Sequence, residues 1–98
     1  MNKSLAGVGD TVSQKQIHIL LIEDDEEDIL IFRDIIAKLR EASFPFYLES
    51  ASNFEEGLQL LSQRDIDVIF LDFFLPGIDG LEALERLQSE TFQVPVVI

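Results

Sequence analysis

The chain has 98 residues, 47% of them hydrophobic, enough for the core of one small domain and no more. Nineteen acidic residues against seven Lys plus Arg give a formal net charge of −12, which disfavours nucleic acid and anionic membrane as partners and favours a divalent cation or a basic protein surface. The lack of cysteine excludes disulfides, a thiolate nucleophile and a thiolate metal site; no apolar run reaches the ~20 residues of a membrane span, and residues 1–16 lack the apolar stretch of a secretory signal, so a cytoplasmic location is expected.

Met1 to Gln16 is polar, carries Gly7, Gly9 and Ser13, and is expected to form a flexible leader. Ile17 to Ile22 is a continuous β-branched and leucine run, too short for a helix and suited to a strand buried on both faces. It runs into Glu23-Asp24-Asp25. Glu26 to Arg40 is predicted as a helix, with Ile29, Leu30, Phe32, Ile36 and Leu39 at helical spacing and Ile35 widening the stripe. Glu26, Glu27 and Asp28 occupy its first turn, where the helix dipole favours acids. Phe44-Pro45 ends this pattern, and Phe46 to Ser50 reads as a short strand. Ser52 or Asn53 is predicted to cap the next helix, with Ser52 and Glu55 as a capping box and Phe54, Leu58 and Leu61 facing inward. Ile66 to Leu71 is predicted as a strand that ends at Asp72. Residues 73–80 form a loop, and Leu81 to Leu87 opens a third helix with Leu81, Leu84 and Leu87 on one face. Val94 to Ile98 reads as a fourth buried strand.

The order β-α-β-α-β-α-β predicts an α/β fold, a parallel sheet with helices on both faces. A sheet that stops at its fourth strand leaves an apolar edge. The expectation is that the natural chain continues past Ile98, or that an assembly such as a homodimer covers the edge.

A parallel sheet collects the C-terminal ends of its strands along one edge, where ligands bind. If the strands ending at Ile22 and Leu71 are neighbours, three carboxylates converge there, which is unfavourable without a cation or a phosphoryl group. Asp24 and Asp72 offer oxygens to a hard cation such as Mg²⁺, and Glu23, one methylene longer, reaches it through water. A loop carbonyl just past Asp72 adds a ligand. Asp72 ends a strand and opens a loop, so it suits the role of a nucleophile that forms an acyl phosphate. Residue chemistry alone leaves a second option open: strand-end acids also cap helices or bind solvent cations.

Ile19-Leu-Leu-Ile-Glu-Asp-Asp25 followed by Asp67-Val-Ile-Phe-Leu-Asp-Phe-Phe-Leu-Pro-Gly-Ile-Asp-Gly80 resembles the receiver domain of two-component response regulators, of the CheY-like superfamily. The resemblance spans Ile17 to Ile98. It implies a three-layer α/β/α sandwich with a flavodoxin-like parallel sheet, truncated after the fourth strand. It also implies that Asp72 is the phosphoacceptor, that Asp24, Asp72 and the Phe74 backbone carbonyl hold Mg²⁺, and that Glu23 contacts it through water. Pro76, Gly77, Asp79 and Gly80 match the family's supporting loop. The implied partners are a histidine kinase or histidine phosphotransfer protein and an attached or separate output domain. Beyond loss of its own phosphoryl group, no enzymatic turnover is implied.

The family's catalytic Ser or Thr and its Lys fall beyond Ile98, so the segment alone is expected to switch weakly or not at all. Two rival readings remain. One is a receiver-like interaction module independent of phosphorylation; the other is a metal-dependent phosphohydrolase, disfavoured by the short chain. His18 lies inside the first strand and reads as structural. The Phe74 ring is read either as a shield of the phosphoaspartate against water or as local packing.

Overall fold

The computed structural model describes residues 15–89 and 93–98. Four strands, β1 (Ile17–Ile22), β2 (Phe46–Ala51), β3 (Val68–Leu71) and β4 (Val96–Val97), alternate with three helices, α1 (Glu26–Glu41), α2 (Phe54–Gln63) and α3 (Gly80–Ser89). The strands form one parallel sheet in the order β2-β1-β3-β4. β1 and β3 are neighbours, with Ile22 beside Leu71. The expected leader lies mostly outside the described residues.

Alternation along the strands separates two faces. Leu20 and Ile22 of β1, Ala51 of β2 and Ile69 and Leu71 of β3 pack with Phe54 and Leu61 of α2 and Ala83 and Leu87 of α3. Gly57 lies against Ile22, close enough that a Cβ there would sit 2.7 Å from its Cδ1; close packing is therefore the use of this glycine. Phe32 of α1 meets Phe70 edge-on with ring centroids 5.0 Å apart, and Arg33 donates from Nη2 to the Ser50 hydroxyl at 3.0 Å. Phe70 and Ser50 alternate with the core residues Ile69, Leu71 and Ala51, so α1 lies on the opposite face. The expected layered α/β/α arrangement is present.

Several local expectations need correction. In α1, Ile36 is buried, while Leu30 and Ile35 lie largely in solvent; the apolar stripe is wider than the contact the sheet offers it. In α3, Leu81 is exposed and Ala83 takes an inward position. β3 begins at Val68, not Ile66: the Asp67 carboxylate accepts the His18 backbone N–H at 2.8 Å, a bond that a ladder carbonyl would otherwise take. β4 is only two residues long, because Pro95 has no N–H to donate, although its carbonyl still accepts from the Ile69 N–H at 2.9 Å.

At α2 the cap is Asn53, whose side-chain oxygen accepts the Glu56 N–H at 2.8 Å. Glu56, not Glu55, reaches back, and its Oε1 accepts the Ser52 N–H at 2.8 Å and the Ser52 hydroxyl at 3.1 Å. Asn53→Ala is expected to lower stability by about 1 kcal/mol, and Asn53→Asp to be near neutral. Urea denaturation of the two variants checks both values.

Candidate functional site

The parallel register brings the acids together. The Asp72 N–H donates to the Ile22 carbonyl at 2.9 Å, and the Glu23 N–H donates to the Ala51 carbonyl at 3.0 Å. The pairing of β1 with β3 therefore continues one step beyond the last paired residues, and the two strands release Glu23 and Asp72 side by side. Carboxylate oxygens of Glu23, Asp24 and Asp72 lie within 4.8 Å of one another. Asp24 is exposed, while Glu23 and Asp72 are half-buried. Among the described residues, the ion pairs engage Asp67, Asp34, Glu49 and Glu55, so no basic side chain neutralises the three acids.

Local structure holds each member. Asp25 is the N-cap of α1: its Oδ1 accepts the Glu27 N–H at 2.9 Å and the Asp28 N–H at 3.4 Å. The third consecutive acid is thus turned to the helix and away from the cluster. The Asp25 N–H donates to Glu23 Oε2 at 3.2 Å. On the other strand, the Phe74 N–H donates to Asp72 Oδ1 at 3.0 Å, an Asx-type turn that orients the carboxylate as the chain leaves β3. Gly77 has φ +84, the left-handed backbone that the second central position of a Pro-Gly turn requires. Asp79 starts α3, accepting the Glu82 N–H on Oδ2 at 3.3 Å and the Ala83 N–H on its carbonyl at 2.9 Å. Gly80 is buried where the Phe73 carbonyl meets the start of α3.

Burial pushes the Glu23 carboxyl above its ordinary value, and the neighbouring Asp72 and Asp28 charges add to the rise against the opposing Asp25 N–H bond. The folded state therefore holds the Glu23 proton more tightly than the unfolded chain does. Its contribution to stability is favourable at low pH and is lost as pH rises from the ordinary glutamate range through the folded value. With divalent cations chelated, Glu23→Gln is expected to remove this decline and to raise stability at neutral pH. Thermal melts from pH 4 to pH 8 test it; an unchanged slope would show that Glu23 does not carry the effect.

Carboxylate oxygens that share one octahedral Mg²⁺ at about 2.1 Å sit about 3 to 4 Å apart. Oxygens already within 4.8 Å of one another are compatible in spacing with a hard cation held directly or through water. Three uncompensated oxygen donors at an accessible strand edge fit a hard divalent cation and no soft one. An open recess of about 360 Å³ lies beside them, lined by Glu23, Asp72, Phe32, Phe70 and Phe74 among others.

The profile of the family described as the response regulator receiver domain matches residues 19–98. The chain belongs to this family. Among curated proteins, the receiver is similar to the probable C4-dicarboxylate response regulator DctR of Bacillus subtilis (strain 168), at 28% identity over 87 residues, covering 89% of this chain and 37% of the relative. Among solved structures, it resembles the MaeR response regulator bound to beryllium trifluoride, with a TM-score of 0.72, 27% identity, and coverage of 84% of this chain and 65% of the other. It also resembles a co-crystal structure of the Saccharomyces cerevisiae histidine phosphotransfer protein Ypd1 with the receiver domain of the response regulator Ssk1, with a TM-score of 0.53, 26% identity, and coverage of 85% and 61%. This receiver spans about a third of the length of the curated relatives it matches, 37% for DctR.

Glu23, Asp24 and Asp72 come together as expected, with Pro76, Gly77, Asp79 and Gly80 in the loop that follows. His18 lies at the other end of β1, its ring 5.1 Å from that of Tyr47, well away from the acids. Phe74 is 86% exposed; its ring packs only locally, edge-on to that of Phe73 with centroids 5.7 Å apart, and it borders the recess that also contains Asp72. Asp25 as a helix cap was legible in the sequence, since an Asp before a run of acids at a helix start is a capping signal. The Asp67–His18 bond had no such signal, because its partners are far apart in sequence.

Proposed function

We propose that residues 17–98 act as a phosphoryl-accepting receiver in the cytoplasm, with Asp72 as the acceptor. An oxygen of the Asp72 carboxylate attacks the phosphorus of a phosphohistidine in line. The new O–P bond forms as the N–P bond breaks, and the imidazole nitrogen keeps the bonding pair and takes up a proton. Asp24, Asp72 and the Phe74 carbonyl would hold Mg²⁺, with Glu23 reaching it through water. When bound, the ion supplies positive charge that offsets the repulsion among the acids and polarises the phosphoryl oxygens. The Asx turn at Asp72 keeps the nucleophile's orientation fixed while the group arrives. The donor would be a histidine kinase or a phosphotransfer protein, and the output an attached or separate domain.

The observation that supports this most is the meeting of Glu23, Asp24 and Asp72 within 4.8 Å without a basic partner among the described residues. The full-length protein, incubated with acetyl phosphate and MgCl₂, is expected to gain one phosphoryl group by intact mass, and none when the cation is chelated. An unchanged mass under conditions that label an established receiver would end the proposal.

A further inference from the structure

Among the described residues β2 has one neighbour in the sheet, β1, and its other edge is free. The Ile17 N–H donates to the Pro45 carbonyl at 2.7 Å and the Glu23 N–H to the Ala51 carbonyl at 3.0 Å. With Ile17 beside Phe46 and Leu21 beside Ser50, residues 45, 47, 49 and 51 turn their backbone groups to β1, and the N–H and C=O of Leu48 and Ser50 point to the free edge. The two ends of this edge are already engaged. The Phe46 N–H donates to the Phe44 carbonyl at 2.9 Å, and the Ser52 N–H donates to Glu56 Oε1 at 2.8 Å. The backbone of Leu48 and Ser50 is what remains for another strand to pair with.

Helix α1 flanks the same edge. Two open recesses of about 300 and 250 Å³ lie between them, the first bordered by Glu26, Ile29, Arg33 and Ser50, the second by Arg33, Ile36, Arg40, Tyr47 and Leu48. Arg33 borders both, so they make one groove. It donates to the Ser50 hydroxyl at 3.0 Å, and the Arg40 guanidinium lies 5.9 Å from the centre of the Tyr47 ring. Seven residues of helix span about 10.5 Å, and the three residues from Tyr47 to Ser50 span about 10 Å of strand. The two arginines therefore keep step with the strand. Among the described residues, Lys15, Lys38, Arg64 and Arg86 are each paired with an acid, and Arg33 and Arg40 are not. In a chain of net charge −12, both cations without a carboxylate line this groove. A hydroxyl and an aromatic face are weaker partners for a guanidinium than a carboxylate is.

We propose that the groove between α1 and β2 binds an extended acidic segment of a partner protein. The segment adds as a strand to the Leu48 and Ser50 backbone and sets two carboxylates, three residues apart, against Arg33 and Arg40. Repulsion from the rest of the chain does not decide the matter, because charges beyond about 8 Å are largely screened at physiological salt. Glu26, two turns of α1 before Arg33, limits the acidic stretch at that end. A second copy of this chain is a poorer occupant: the strand it would pair, β2, carries one acid, Glu49, and that is held by Arg64 at 3.2 Å. The proposal is independent of phosphoryl transfer, since β1 separates this edge from β3 and Asp72.

The test is the affinity of the full-length protein for short fluorescent Thr/Val peptides, read by anisotropy. A peptide with two Glu three positions apart is expected to bind about tenfold more tightly than the same peptide with two Lys. Arg33→Gln and Arg40→Gln should each weaken the Glu peptide about fivefold, with circular dichroism and acetyl phosphate labelling unchanged. N-methylation of alternate residues removes the donors along one side of the peptide. One of the two alternate sets should weaken binding about tenfold and the other should be tolerated, because only one side of an added strand meets β2. Equal binding of the Glu and Lys peptides, arginine variants that bind as the parent does, or tolerance of both methylated sets overturns the proposal. So does a dimer that requires Arg33 and Arg40 and that the Glu peptide fails to dissociate, since the groove then holds a second copy.

Discussion

Asp72→Asn in the full-length protein is expected to abolish labelling by acetyl phosphate, a loss on the order of 10³-fold or more, as when a covalent nucleophile is removed. The substitution is conservative in shape. An Asn side-chain oxygen still accepts the Phe74 N–H that Asp72 Oδ1 accepts at 3.0 Å, so the turn after β3 should persist. What changes is the charge and the nucleophile. One of three clustered carboxylates becomes neutral, which relieves the like-charge repulsion that the fold sustains without a cation. The variant should therefore be at least as stable as the parent in chelator, and it should gain less from added Mg²⁺. Loss of labelling with unchanged or raised stability separates loss of the acceptor from unfolding. Persistent labelling at full stoichiometry would move the acceptor to another residue, with Asp24 the first to be examined by peptide mapping.

The site was legible because each of its parts announces itself within a few residues. Ile17 to Ile22 and the run ending at Leu71 are apolar enough to be buried strands, and parallel strands deliver their following residues to a common edge. What needed the fold was the pairing itself. Only the register of β1 on β3 sets Glu23 beside Asp72; sequence could state the condition but not meet it. Misjudged details share a cause, a tertiary partner overriding local pattern. Leu30 and Leu81 have helical spacing, yet they face solvent because the sheet contacts only part of each helix. Ile66 is buried but outside the strand, because the Asp67 side chain intervenes in the ladder. Asn53 is one of the two expected caps of α2, but the expected box of Ser52 with Glu55 gives way to Glu56, which accepts the Ser52 N–H. The extent of the exposure of Phe74, 86%, was not legible either, because it depends on the direction the loop takes after Asp72.

Gly80→Ala is expected to be the most damaging single-methyl change near the site. A Cβ at Gly80 would collide with the Phe73 carbonyl oxygen and sit 2.6 Å from Phe73 Cγ and 2.7 Å from Cδ1. The nearest obstacle is backbone, which cannot rotate away as a side-chain tip can. To admit the methyl group, α3 must shift outward or Phe73 must withdraw, and Phe73 directly follows Asp72. Overpacking of this kind costs about 1–3 kcal/mol, and here the displacement is passed to the acceptor and to the Phe74 carbonyl. Stability and phosphoryl acceptance should fall together. Gly77→Ala is the informative contrast. Nothing lies within 4 Å of a Cβ there, but the backbone φ is +84, so the penalty is conformational, about 1–2 kcal/mol, and local to a turn outside the cluster of Glu23, Asp24 and Asp72. That variant should lose stability yet keep most of its labelling rate once folded. Urea denaturation gives the two stabilities, and acetyl phosphate labelling well below each midpoint gives the rates. If Gly80→Ala labelled as fast as Gly77→Ala per folded molecule, the contact between Phe73 and the start of α3 would be structural packing with no hold on the acceptor.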